Sequence, residues 1–209
     1  GLMSYKALRG NGLPFDLIRS EDVRRGRLRD YSMLFVPGGW ASNKLKALKD
    51  AGVSEIKRFV AAGGNYLGFC GGAGLATEHE IGLLNVKRVP GKDRVPSFSG
   101  RIHVNLKHHP IWQNLPHGTN SDADYPSSSV FHVWWPSQFL VERKNLRDLA
   151  TFGEALPDSF SADLKVGDVK RNGSWSELEG TYGINLDPSR LRNRPAVIEG
   201  MLGKGRVIL

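Results

Sequence analysis

The chain carries a single cysteine, Cys70, within the run Asn65-Tyr66-Leu67-Gly68-Phe69-Cys70-Gly71-Gly72-Ala73-Gly74. An ionised thiol is a strong nucleophile, and the run reads as a short apolar strand, a glycine-crowded turn and the start of a helix. At the tip of such an elbow a side chain is thrust outward. Small neighbours are needed because a β-carbon would collide with the folded-back chain. The first turn of the following helix offers N–H groups that favour a thiolate and can steady an oxyanion. The competing reading is that a lone cysteine is a small buried hydrophobe. Burial alone, however, places no demand for glycine at 68, 71, 72 and 74.

Other groups deserve the same weighing. Pro37-Gly38-Gly39 follows an apolar strand, and in a parallel sheet its loop would neighbour the elbow at the carboxyl ends of the strands, where such sheets hold ligands. His132 lies in Val130-Phe131-His132-Val133-Trp134-Trp135-Pro136 and could serve as the base for Cys70, with Trp134 or Trp135 walling a pocket; the alternative is a core histidine among packing aromatics. His108 and His109 are adjacent, so on an extended chain they point to opposite faces, and no metal is expected. Glu78 and Glu80 follow the elbow and read as surface charges or as groups that orient a base. No glycine-rich loop ends in Lys-Ser or Lys-Thr, so nucleotide hydrolysis has no support and no cofactor is expected.

The elements that must position these groups follow from periodicity. Residues 4–10 have helical spacing, 15–18 read as a strand after Pro14, and 32–36 form a continuous apolar run suited to a buried parallel strand. A helix is expected over 54–62, with Ile56, Phe59 and Val60 on one face and a stop at Gly63-Gly64, feeding the strand 66–69. Residues 101–106 alternate with period two; 130–136 and 149–152 are further strands, and 196–202 with 206–209 form a hairpin about Gly203-Lys204-Gly205. The stretch 116–129 is rich in Ser, Asp, Asn and Pro and reads as a loop. Opening on a helix and stopping within an apolar strand, the chain reads as one domain trimmed of its first strand and of the end of its last motif.

With 209 residues, one domain is the default. Hydrophobic residues make up 40% and charged residues 24%, an ordinary globular balance, and no apolar run suits a bilayer. Lys and Arg number 29 against 21 acidic residues, for a net charge of +8. The basic cluster Arg24-Arg25-Gly26-Arg27-Leu28-Arg29 lacks interleaved aromatics, so a solvated surface favouring anionic partners is expected rather than a nucleic-acid platform. One cysteine allows no internal disulfide; a cytoplasmic location is the expectation, and an exported form whose signal has been removed is also consistent. Neither a homo-oligomer nor a fused partner domain conflicts with the sequence.

Phe35-Val36-Pro37-Gly38-Gly39-Trp40, the segment from Phe59 through the Gly68-Phe69-Cys70-Gly71-Gly72-Ala73 elbow, the stretch 182–186 and Gly203-Lys204-Gly205-Arg206-Val207 together resemble the class I glutamine amidotransferase-like superfamily. Within it the chain is most similar to the biotin–protein ligase N-terminal-like group, over residues 5–209. The resemblance implies a three-layer α/β/α sandwich of flavodoxin-like type with a mostly parallel central sheet. It implies Cys70 as nucleophile and an oxyanion hole from the amides of Gly71 and of Gly38 or Gly39; substrate contacts are expected from Trp40, Gly72 and Trp134. The residues following Cys70 depart from the family pattern, and the histidine that true amidotransferases place after the strand at 206–209 is not in this sequence. Two functions follow: a cysteine-dependent amidase or acyl-transfer domain acting on a small polar substrate, or a non-catalytic ligand-binding domain of the same fold. A charge-driven binder of anions or nucleic acid is the third reading.

Overall fold

A computed structural model describes residues 1–113, 115, 126–142 and 145–209. In chain order it contains α1 (Leu2–Gly10), α2 (Ser20–Arg24), β1 (Met33–Val36), α3 (Ala41–Ala61), β2 (Asn65–Gly68), α4 (Gly71–Leu75), β3 (Val86–Arg88) and β4 (Phe98–Leu106). There follow β5 (Ser128–Trp134), β6 (Phe139–Val141), β7 (Arg147–Ala155), β8 (Phe160–Ser161), β9 (Leu164–Lys165), α5 (Val166–Asn172), α6 (Trp175–Tyr182), β10 (Pro195–Leu202) and β11 (Gly205–Ile208).

The chain divides into two compact units. The first comprises Gly1–Lys87, Glu142–Leu146 and Glu199–Leu209; the second comprises Arg88–Val141 and Arg147–Ile198. In the first, β2 pairs parallel with β1 and with β11, and β11 turns back antiparallel on residues 199–202 of β10. Ile56, Phe59 and Val60, the expected apolar face of the helix, are buried in this unit with Tyr66, Leu75 and Val207. The hairpin turn at Gly203 has φ +59, a left-handed conformation that glycine adopts without cost.

In the second unit, β4 pairs antiparallel with β5, β7 and β8, and β8 with β9. Its core gathers Phe98, Ile102, Val104 and Leu106 of β4 with Leu149, Phe152, Val166 and Leu191. Burying about 25 cal/mol per Å² of apolar surface, these side chains provide the main drive for this unit to form.

These pairings correct the expected flavodoxin-like sandwich. Among the described residues the pairing is mixed, and the antiparallel pairs β10–β11, β4–β5, β4–β7, β4–β8 and β8–β9 outnumber the parallel pairs β1–β2 and β2–β11. Parallel neighbours require a long crossover, usually a helix, whereas antiparallel sheets tolerate one wet face. Along β4 the buried Ile102, Val104 and Leu106 alternate with exposed Arg101, His103 and Asn105, the signature of the second kind.

Three local expectations also shift. Residues 15–18 are not a strand: they have no regular structure, Leu17 is exposed, and Phe15 packs edge-on against Tyr5 at 5.4 Å. The helix expected over 54–62 is the latter part of α3, which begins at Ala41 and is interrupted at Lys49 (φ 55, ψ 179). The loop expected over 116–129 lies mostly outside the described residues, and its last two, Ser128 and Ser129, already belong to β5.

Candidate functional site

β1 and β2 run parallel in a register that sets Val36 beside Gly68, and the Phe69 N–H donates to the Val36 carbonyl at 3.0 Å. Both strands therefore end together. Pro37-Gly38-Gly39 leaves one end and Cys70-Gly71-Gly72 leaves the other.

Cys70 itself has φ 52 and ψ −111, a strained conformation for a residue with a β-carbon. The bend is closed by Gly72 N–H donating to the Phe69 carbonyl at 2.7 Å, and by Gly74 N–H donating to the Cys70 carbonyl at 2.9 Å. The Cys70 residue is exposed.

The glycines are explained by backbone crowding. A β-carbon on Gly71 would overlap the Gly39 carbonyl oxygen, and one on Gly72 would overlap that of Val36. On Gly68 it would lie 2.7 Å from the Gly72 carbonyl. The two loops are therefore in direct backbone contact. A β-carbon on Gly38 would meet Cys70 Cβ at 3.3 Å and Sγ at 3.6 Å, so the Pro-Gly-Gly loop borders the sulfur itself.

Two residues that sequence reasoning missed secure this arrangement. Lys44, early in α3, donates from Nζ to the Gly38 carbonyl at 2.8 Å. Partial burial pulls its amine below the usual lysine range, and its electrostatic interaction with Cys70 opposes that pull. Tyr66, fully buried on β2, donates its hydroxyl to the Gly72 carbonyl at 2.7 Å, and burial pushes its phenol well above the usual tyrosine range. Inward-facing Tyr66 is legible from strand alternation; nothing in the local sequence marks Lys44.

The first unit thus brings together Cys70, Gly71, Gly72, Gly38 and Gly39. Gly71, as the first residue of α4, has no intrahelical acceptor for its N–H, so its amide suits an oxyanion. Trp40 follows the Pro-Gly-Gly loop with 73% of its surface exposed, and Phe69 packs edge-on against Phe35 at 5.4 Å. Glu78 is exposed and Glu80 half-buried, beyond the short helix.

His132 and Trp134 belong to the second unit, on β5, where His132 is paired with Arg101 of β4. His132 is exposed, which removes the alternative of a core histidine. Trp134 is also exposed and meets Trp135 edge-on at 6.4 Å. His109 is buried and its Nδ1 accepts from the Ile111 N–H at 3.2 Å; that nitrogen is occupied in a turn. In the basic cluster, Arg24 pairs with Glu21, Arg27 with Asp22 and Arg29 with Asp30, so much of its charge is locally balanced.

The family model described as biotin-protein ligase, N terminal, matches residues 28–84. That segment holds β1, the Pro-Gly-Gly loop, α3, β2 and the entire elbow. No curated protein matches the chain.

Proposed function

We propose that the chain is a ligand-binding domain of the biotin–protein ligase N-terminal-like kind, which receives a small polar molecule at the joined ends of β1 and β2. The observation that carries this reading is the exposed Cys70 held at positive φ against the Pro-Gly-Gly loop, inside the stretch matched by the family model. The ligand's carbonyl or carboxylate oxygen is met by the amides of Gly71 and Gly39, with the Lys44 ammonium adding positive charge. Trp40 and Gly72 border the entry.

A second reading, the cysteine-dependent acyl chemistry of the amidotransferase-like superfamily, is favoured by one specific observation: strain stored at an exposed nucleophile. In that reaction the Cys70 sulfur adds to an amide carbon, the tetrahedral oxyanion collapses with loss of the amine, and water hydrolyses the thioester. It requires a proton acceptor for the thiol.

One experiment separates the two. Alkylation of Cys70 by iodoacetamide is followed by mass spectrometry with glutamine, glutamate or biotin as protecting probes, and ammonia release from glutamine is measured in parallel. The binding reading expects at least threefold protection by one probe and no ammonia. Ammonia release that vanishes in Cys70→Ala would establish the enzyme instead, and absence of protection by all three probes would defeat the binding reading.

A further inference from the structure

The second unit contains a hollow of about 220 Å³ remote in sequence from the elbow, between the 3-10 turn Gly91–Asp93 and the segment that leaves α6. Its lining includes Lys92, Arg94, Pro96, Glu179, Ile184 and Asn185. Asn185 ties the two walls together: its Nδ2 donates to the Lys92 carbonyl at 2.7 Å and to the Arg94 carbonyl at 3.2 Å. The walls are therefore fixed by hydrogen bonds.

Charge inside the hollow is unbalanced. Glu179 is the carboxylate that lines it, and that carboxylate is already committed. Its Oε1 accepts from the N–H groups of Leu186 at 2.8 Å and Asp187 at 2.9 Å and from Arg190 Nε at 3.1 Å, while Oε2 accepts from Arg190 Nη2 at 2.6 Å. Asp187 spends its own oxygens on the N–H and hydroxyl of Ser189. Arg94, by contrast, is half-buried, and no carboxylate among the described residues lies within 4.0 Å of its guanidinium. Burial, and to a lesser degree the like charge of Arg88, lowers its affinity for its proton. A partly desolvated guanidinium lining a hollow whose carboxylate is already committed is an unfavourable arrangement unless an anion completes it.

We propose that this hollow binds a small molecule bearing a doubly charged oxyanion group of phosphate type. The guanidinium fork of Arg94 grips two of its oxygens, and the exposed Lys92 ammonium supplies the second positive charge. Inorganic phosphate and pyrophosphate are the probes, with acetate as the singly charged comparison. Titrations are followed through the backbone amide resonances of Gly91, Arg94 and Asn185, and repeated with Arg94→Gln, Lys92→Glu and Arg29→Gln. Arg29 is an exposed arginine of the first unit that pairs with Asp30 at 3.7 Å.

Saturable binding of pyrophosphate is expected at those amides. Arg94→Gln should weaken it at least tenfold, Lys92→Glu should abolish it, and Arg29→Gln should leave it unchanged. Because Lys92 is exposed, its variant tests the site even where Arg94→Gln fails to fold. Equal response to acetate, equal weakening by Arg29→Gln, or unsaturable shifts spread over the surface would each overturn the proposal.

Discussion

Two tight bends in this protein are built by opposite means. At the Cys70 elbow the chain closes on itself because side chains are missing: Gly71 lies against the Gly39 carbonyl and Gly72 against that of Val36. After α6 the chain closes because one side chain is present, since Glu179 gathers two backbone N–H groups and Arg190 around a single carboxylate. The first bend is intolerant of bulk. The second depends on ionisation.

The sharpest way to break the first is Gly71→Ala. Its methyl would occupy the position of a backbone oxygen that no rotamer change can clear, so a loss of about 3 kcal/mol or more is expected in urea unfolding, at any pH. A loss below about 1 kcal/mol would mean that the two loops separate easily and that the contact is not a constraint.

Glu179→Gln breaks the second bend. Gln still accepts hydrogen bonds but cannot pair with the Arg190 charge, and a loss of about 2 kcal/mol is expected at neutral pH. The pH dependence sharpens the contrast. The Arg190 guanidinium, with further help from the backbone N–H groups, holds the Glu179 carboxyl at about 2, below its ordinary value of 4.5. A depressed carboxyl stabilises the folded state above its unfolded value, and that contribution falls away as pH drops from about 4.5 towards 2. The difference between wild type and Glu179→Gln should therefore shrink over that interval, whereas the Gly71→Ala difference should not.

A smaller effect is expected from Tyr66→Phe. The buried Gly72 carbonyl loses its phenolic donor, which should cost about 1 kcal/mol with the fold retained. Comparison of its Cys70 alkylation rate with that of wild type shows how far Tyr66 props the elbow from beneath.

The same contrast explains what could be read from the chain beforehand. The elbow was legible because its requirements are local: four glycines within seven residues announce backbone crowding wherever the fold goes. Parallel pairing joins β2 to β1 and to β11, whereas β4 pairs antiparallel with β5, β7 and β8, so the expected mostly parallel sheet is not formed. The period-two alternation at 101–106 marks a strand with one face in water, which is characteristic of antiparallel sheets, whereas the parallel arrangement is implied by the family resemblance alone. Lys44 escaped notice because it reaches Gly38 through a turn of helix that no local pattern signals, and the break at Lys49 disguised the first half of α3. Glu179 escaped for a related reason. Its partners at 186, 187 and 190 lie beyond the end of α6, past the reach of an i, i+4 rule.

The central claim is that the elbow presents Cys70 to a ligand beside the positive charge of Lys44. Its most direct test is the ratio of Cys70 alkylation rates with iodoacetate and iodoacetamide, measured by mass spectrometry in the native protein, in Lys44→Met and in the urea-unfolded chain. The account expects native Cys70 to react at least as fast as the unfolded thiol with iodoacetamide, and to favour the anionic reagent about threefold over the unfolded chain, a preference lost in Lys44→Met. A native thiol protected from both reagents, or a ratio indifferent to Lys44, would contradict it.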